Sequence, residues 1–172
     1  EGKYLYFLSV RTFDPVYDSV QFELSFPRAM RPYLIALGSG GRPPFDPLPK
    51  GMKHDEGEGK GDRSAKDDAA KAPIVVDLEG IAQRIAPFPV VEGRFGQIAG
   101  VAGGKVLWTT LPLVGSHGRG GHKEGPGRLE LFDFATMKAE TLLERVDAFT
   151  LAADAITLAI RDDKRLRVLA GN

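Results

Sequence analysis

The chain has 172 residues, 42% of them hydrophobic, and its 23 lysines and arginines balance its 23 aspartates and glutamates. This composition suits one globular domain. Because the net charge is zero, neither nucleic acid nor an anionic membrane is expected as a partner. The absence of cysteine excludes disulfides, cysteine-ligated zinc and a thiol nucleophile, and fits an intracellular location.

The first segments predict an antiparallel blade that lacks its first strand. The second strand is predicted at KYLYFLS, the third at RPYLIALG and the fourth at PIVVDL. The following stretch, DLEGIAQRI, has apolar residues at helical spacing, but Gly80 and the sequence APFP limit any helix to a turn or two. Residues 1–38 and 73–89 are therefore predicted to form an incomplete first blade with a connector.

Two stretches of this first unit do not fit simple turns. TFDPVYDSVQFELSFPRAM is too long for a turn, and its Phe22, Leu24 and Phe26 alternate as in a strand. Residues 39–72 are rich in glycine, proline and charge and offer little apolar surface to bury. Such a composition cannot offset its ordering entropy, so we predict a long, flexible and disordered insertion.

The middle of the chain predicts one complete four-stranded blade over residues 90–146. Phe95–Val101 is joined by Gly103-Gly104 to KVLWTTL, and a glycine-rich loop leads to GRLELFDF and then KAETLLERV. Residues 147–172 begin the pattern again with DAFTLAA, ITLAIR and KRLRVLAG. The repeat length is typical of propeller blades.

Burial patterns indicate that these sheets stack face to face. The second and third strands are apolar on both faces, as in Val106, Leu107 and Trp108, whereas a half-exposed antiparallel sheet would alternate. The predicted fold is therefore all-β: a partial β-propeller of about two and a half four-stranded antiparallel blades, within one region spanning residues 1–172.

The search for chemistry finds no complete catalytic constellation and predicts no catalytic residue, cofactor or metal site. VGSHG resembles a nucleophile elbow around Ser116, but it lacks the first glycine and the strand-to-helix context. His117 and His122 flank a loop with no convincing third metal ligand. Together with Arg119 they are candidates for binding a peptide carboxylate, and a plain surface loop is the competing interpretation.

The segments as a whole resemble the later blades of the second, seven-bladed propeller of tricorn proteases. The resemblance rests on GKYLYFLSVRTFDPVYDSVQFELSFPRAMRPYLIALG, VDLEGIAQRIAPFPVVEGRFGQIAGVAGGKVLW and LELFDFATMKAETL, followed by VDAFTLAADAITLAIRDDKRLRVL. It covers nearly the whole chain. Ala155 departs from the pattern, because it stands where the last hairpin usually has glycine.

The resemblance implies a large cytoplasmic serine peptidase that trims oligopeptides released by the proteasome. Its propellers are implied to filter peptides on their way to or from the active site. The family's catalytic and substrate-anchoring residues lie outside the matched region, so none is carried over. The implied partners are oligopeptides and the remaining domains of the parent protease. Exposed blade edges at Tyr4–Leu8 and Arg165–Leu169 add an expectation of self-association.

Three alternatives remain open at this stage. The chain could belong to a propeller that binds proteins or peptides without peptidase activity. It could also belong to a prolyl-oligopeptidase-like enzyme, which requires a downstream α/β-hydrolase domain with a nucleophile elbow. The third alternative is a small standalone enzyme that uses Ser116 and His122.

Overall fold

Antiparallel strands form nearly all of the regular structure. The computed structural model describes residues 2–18, 23–45, 74–113 and 125–171. The strands in these residues are β1 (Tyr4–Val10), β2 (Val16–Asp18), β3 (Glu23–Ser25), β4 (Met30–Ala36), β5 (Ile85–Pro87), β6 (Arg94–Val101), β7 (Lys105–Leu111), β8 (Gly127–Asp133), β9 (Lys138–Val146), β10 (Ala148–Leu151), β11 (Thr157–Asp162) and β12 (Arg165–Ala170). One 3-10 helix, Ile81–Arg84, precedes β5.

The strands assemble into three blades and one separate ribbon. The sheets have the orders β1-β4-β5, β6-β7-β8-β9 and β10-β11-β12, while β2 pairs only with β3. All the pairings are antiparallel. Gly103 and Gly104 turn β6 into β7 with φ of 81° and 72°, a conformation that glycine adopts without strain. The predicted fold class, an all-β partial propeller, is confirmed.

The predicted position of the fourth strand in the first blade is wrong. The segment PIVVDL forms no strand in its described part, residues 74–78, and β5 pairs with β4 instead. The reason is burial: Ile74 and Val75 stay exposed, whereas Ala86 and Phe88 lie in the core. Burying one phenylalanine contributes roughly 1.5–3 kcal/mol, which favours residues 85–88 beside β4.

Arg84 fixes the turn that brings β5 back to the sheet. Its guanidinium donates hydrogen bonds to the carbonyls of Ala36, Glu79 and Asp77. The Asp77 carboxylate accepts the backbone N–H of Ser39 at 2.7 Å, and this bond lowers the pKa of the carboxyl below its usual value. The connector predicted from DLEGIAQRI is thus a 3-10 helix held by backbone acceptors.

Two hydrophobic cores lock the three blades together. On β7, Val106 and Trp108 point towards the first blade, while Leu107 points towards the third. The core between the first and middle blades contains Leu34, Ala86, Phe88, Phe95, Val106, Trp108 and Phe132. The core between the middle and third blades contains Val101, Leu107, Leu129, Val146, Phe149, Leu158 and Ile160. The two-sided burial predicted for the central strands follows from this stacking.

The two stretches that did not fit simple turns differ in how much of each is described and in the structure that it forms. The first stretch, between β1 and β4, forms the ribbon β2–β3, and Leu24 lies in β3. Phe22 lies outside the described residues. The predicted insertion begins within packed structure, because the Phe45 ring lies 5.4 Å from that of Phe88. The rest of the predicted insertion, residues 46–72, lies outside the described residues, as does residue 73.

Candidate functional site

The strand registers place the blade connections at two opposite ends. At one end, Met30 bridges to Gly93, Arg94 lies opposite Leu111, and β8 begins near the end of β7. The ribbon β2–β3 with its flanking residues, which we call the arm, emerges at this end, and we call the end itself the arm face. At the opposite end, a hydrogen bond joins the turns of the middle and third blades, because the Ala102 N–H donates to the carbonyl of Ala155 at 2.9 Å. The two ends therefore present different surfaces.

A groove of about 750 Å³ opens between the first and middle blades, reaching the arm face. It forms where the first blade covers the middle blade incompletely, since β5 has three residues and β9 has nine. Its apolar lining consists largely of Val90, Phe95, Leu111, Pro112, Leu113 and Met137. Because most of these side chains belong to strand ends and connections, their positions are set by the blades beneath them.

Four cations line the groove together with two carboxylates that already have partners. The cations are Arg28, Arg94, Arg128 and Lys138. Glu92 is paired with Arg31, which lies beside the groove. Oε2 of Glu130 accepts the indole N–H of Trp108 at 2.9 Å and the hydroxyl of Thr110 at 2.8 Å. Arg128 in turn lies 3.6 Å from Oε1 of Glu130, and Nη1 of Arg94 donates to the carbonyl of Pro112 at 3.1 Å. With four cations against two carboxylates, the lining carries a net positive charge.

The side chains that line this groove are suited to binding a ligand. No histidine, cysteine or serine side chain is among the described residues that line it. The hydroxyl of Thr110 donates to the carboxylate of Glu130, which also accepts the N–H of the buried indole of Trp108. Apolar walls with guanidinium groups at the rim suit an extended, acidic polypeptide segment, because guanidinium forms strong charge-assisted hydrogen bonds with carboxylates.

Gln97 joins the first strands of two neighbouring blades. Its Oε1 accepts the N–H of Phe149 at 2.9 Å, and its Nε2 donates to the carbonyl of the same residue at 3.3 Å. The side chain reaches β10 from an irregularity in the β6–β7 pairing between Phe95 and Ile98. Sequence reasoning missed this residue, since a lone polar side chain in a strand carries no signal of a bulge.

A second cavity, of about 660 Å³, lies between the middle and third blades at the same end. Its charges are largely matched: Nε of Arg145 lies 3.8 Å from a carboxylate oxygen of Asp162, and Asp147 accepts the N–H of Asp163 at 2.6 Å. This pairing ties β9, β10 and β11 together at the arm face. The cavity thus contributes to joining the blades and has less unmatched charge than the first groove.

The candidates His117, Arg119 and His122 lie outside the described residues, and so do Ser116 and His54. The described residues on either side of their loop are Leu113 and Gly125. Leu113 lines the groove and Gly125 lines the second cavity, so both ends of this loop are on the arm face.

Two further observations concern metals and membranes. Among residues 2–18, 23–45, 74–113 and 125–171, no group of three or more histidine, cysteine, aspartate or glutamate side chains could hold a metal ion. Across the same part of the chain, every helix is too short and too polar to cross a bilayer.

The whole sequence matches one protein family. The sequence profile described as "Tricorn protease second beta propeller domain" matches residues 1–172. The chain belongs to this tricorn propeller family. Its similarity to "Tricorn protease homolog 1" of Streptomyces coelicolor is 37% identity over 98% of the chain and 16% of that protein. The "Tricorn protease homolog" of Saccharolobus solfataricus is 34% identical over 96% of the chain and 14% of that protein.

A solved structure agrees with the fold of the tricorn propeller family. The crystal structure of the tricorn protease superimposes with a TM-score of 0.63 over 98% of this chain and 17% of that chain, at 23% identity. At this identity the superposition supports the fold alone. The chain spans 13% to 17% of the length of the relatives and of the solved chain that it matches.

Proposed function

We propose that the chain is a non-catalytic propeller segment of a tricorn-like serine peptidase. The parent would degrade oligopeptides downstream of the proteasome in the cytoplasm, and the propeller would filter or channel peptides to or from the active site. The family match over residues 1–172 carries this proposal. The partners are oligopeptides and the other domains of the parent, with His117, Arg119 and His122 as candidate peptide contacts.

The packing of the blades supports a filtering role in physical terms. A filter has to keep its width, and these blades are joined by two continuous apolar cores as well as by the Gln97 bridge. Close-packed interiors resist deformation. A channel surrounded by such blades excludes folded proteins by size while an extended peptide threads through it.

The proposal is tested by narrowing the channel in the full-length peptidase. Gln97 is replaced by cysteine after any other reactive cysteine of the parent has been removed, and the thiol is coupled to a large polyethylene glycol. In a closed propeller the first strand of each blade faces the channel, so the polymer would obstruct it. Turnover of long oligopeptides should then fall more than turnover of a short chromogenic substrate.

Two controls isolate the obstruction from the loss of the Gln97 bridge. The same cysteine capped with a small acetamide lacks the bridge but leaves the channel open. A polymer coupled to Glu140→Cys adds equal bulk on the outermost strand, where the side chain is exposed and does not line the groove. Equal effects of all three modifications would contradict channelling through this propeller, and a full-length parent without peptidase activity would contradict the enzyme assignment.

The second candidate is a propeller module that binds proteins or peptides without peptidase activity. The cationic, apolar groove between the first and middle blades favours it, because such a groove can hold a ligand without reacting with it. A parent that lacks peptidase activity but retains a partner in affinity capture, with the partner lost in Arg128→Glu, would favour this alternative.

A further inference from the structure

The ribbon β2–β3 projects from the first blade as an apolar arm. We define the arm as residues 12–18 and 23–28. Its base is closed by the N–H groups of Arg11 and Thr12, which donate to the carbonyl of Ala29 at 3.1 and 3.2 Å. Beyond this base, the large apolar side chains exposed among the described residues are Phe13, Val16, Tyr17, Leu24 and Phe26.

Large apolar side chains are exposed on both faces of the described part of the arm. Leu24 pairs with Tyr17, the residue after Val16, so Val16 and Leu24 point to opposite faces of the ribbon, and they are 49% and 60% exposed. The rings of Phe13 and Phe26 lie 5.5 Å apart and cover each other only in part, since Phe13 remains 81% exposed. An isolated two-stranded ribbon is marginally stable in water, so these side chains need a further surface.

The groove at the base of the arm determines the charge that such a surface must carry. Arg28 belongs to the arm and also lines the groove, alongside Arg94 and Arg128. Arg128 lies 3.6 Å from a carboxylate oxygen of Glu130, but the lining holds four cations against two carboxylates, Glu92 and Glu130. A surface lying on the arm and over the groove therefore meets apolar side chains flanked by a surplus of positive charge, and its complement is an apolar patch rimmed by carboxylates.

The size of the relatives indicates where this complementary surface is found. The chain spans 13% to 17% of the relatives and of the solved tricorn chain, so most of such a protein lies outside it. We propose that the arm face docks on another folded domain of the same polypeptide, with the arm buried in an apolar patch and the groove cations against acidic residues around it. This docking does not depend on whether the parent cleaves peptides.

The first experiment places a photo-crosslinker on the arm of the full-length parent protein. Phe13 is replaced by p-benzoylphenylalanine, and Leu78, which is 75% exposed at the opposite end of the first blade, receives the same substitution as the control. Light and heavy isotope forms of the protein are mixed before irradiation. Mass spectrometry then separates crosslinks within one polypeptide from crosslinks between two copies.

The expected crosslink joins residue 13 to another domain of the same polypeptide, at a surface with more carboxylates than cations. Crosslinks between light and heavy copies would overturn the proposal in favour of a second copy of the chain. Crosslinks confined to the 172 residues described by this sequence would also overturn it, because the arm would then fold back on its own blade.

A second measurement uses the unsubstituted parent and does not depend on a variant that folds. Hydroxyl radicals should oxidise Phe13 and Phe26 about tenfold more slowly than their intrinsic reactivity predicts, since the centre of an interface is packed like a protein interior. Leu78 should react at the rate of an exposed side chain. Equal normalised rates at Phe13 and Leu78 would overturn the proposal.

Charge reversal tests the electrostatic part of the proposal. Arg28→Glu should increase oxidation of Phe13 several-fold, because it places a carboxylate against an acidic surface. Lys3→Glu makes the same change in net charge at the opposite end of the blade and serves as the matched control. If Phe13 stays equally protected in both variants, the acidic complement is wrong.

Discussion

The carboxylate of Glu130 is the acceptor that allows Trp108 to be fully buried. The indole has no solvent exposure, and its N–H reaches Oε2 of Glu130 across two paired strands. A buried donor without an acceptor costs the free energy of its lost hydration, about 1–3 kcal/mol. Glu130 thus stabilises the core between the first and middle blades although its own side chain lies at the groove.

The first prediction concerns removal of this acceptor. Glu130→Ala should lower the free energy of unfolding of the chain by about 1–3 kcal/mol, because the N–H of Trp108 and the hydroxyl of Thr110 lose their acceptor. Glu130→Gln keeps an oxygen at that position and should cost less. Urea unfolding followed by fluorescence of the single tryptophan measures both. Equal losses in the two variants would contradict the role of the hydrogen bonds.

The second prediction concerns Tyr6, which packs against Phe88 and Phe134 in the same core. Burial, followed by the nearby Tyr4 phenol, raises the pKa of Tyr6 to about 12 from its usual value of 10.0. The unfolded chain therefore ionises first as the pH rises. The stability conferred by the neutral phenol is complete below pH 10 and is lost progressively between about pH 10 and pH 12.

Replacing the phenol should remove this part of the alkaline destabilisation. Tyr6→Phe is expected to lose less stability than the unsubstituted chain between about pH 10 and pH 12, in unfolding experiments repeated at each pH. Tyr17→Phe removes an exposed phenol of the arm and is the matched control. Parallel stability curves for the unsubstituted chain and Tyr6→Phe would contradict the prediction.

At the scale of elements, the sequence predicted the strands whose ends carry turn signals. Gly103-Gly104 and the two-sided apolar pattern of KVLWTTL located β6 and β7, and the charged sequence of β9 indicated an outer strand, which is largely exposed. The fourth strand of the first blade was misplaced because its burial depends on Phe88 and on the bonds of Arg84, which are tertiary contacts.

The last hairpin shows how local bonds can replace a glycine. Ala155 adopts a φ of 55°, a conformation that costs an alanine about 1–2 kcal/mol. Asp154 holds this turn by accepting the N–H groups of Ile156 and Thr157, at 2.9 and 2.8 Å. These bonds, the hydroxyl bond from Thr157 foremost, lower the pKa of Asp154. The sequence revealed the missing glycine but not this compensation.

The third prediction concerns the bridge between β6 and β10. Gln97→Ala removes both hydrogen bonds to Phe149 and should destabilise the third blade by about 1–3 kcal/mol, at about 1 kcal/mol per bond. Gln97→Glu keeps the acceptor but loses the donor, so its effect should be intermediate. Hydrogen exchange of the Phe149 amide should be fastest in Gln97→Ala. Unchanged exchange in that variant would show that β10 does not need the bridge.

At the scale of the whole molecule, the three stacked blades differ in how much of each is covered. Among the described residues, the middle blade is packed on both faces, whereas the first and third blades each contribute one face to a core. On the third blade, Leu158 and Ile160 point into the core, so the register of β12 directs Leu166 and Val168 to the other side. These two side chains are 78% and 71% exposed.

The fourth prediction is that the isolated chain associates through this open face. Sheet faces with exposed apolar side chains bind other apolar surfaces, and unpaired strand edges extend the contact. The double substitution Leu166→Lys and Val168→Lys should therefore shift the chain towards the monomer, because lysines at these positions would have to be desolvated in any contact. Leu142→Lys, on the outer strand of the middle blade, is the control, and sedimentation velocity over a range of concentrations measures all three proteins. Unaltered association of the double variant would place the contact elsewhere, while an unsubstituted chain that stays monomeric throughout would show that the open face tolerates water.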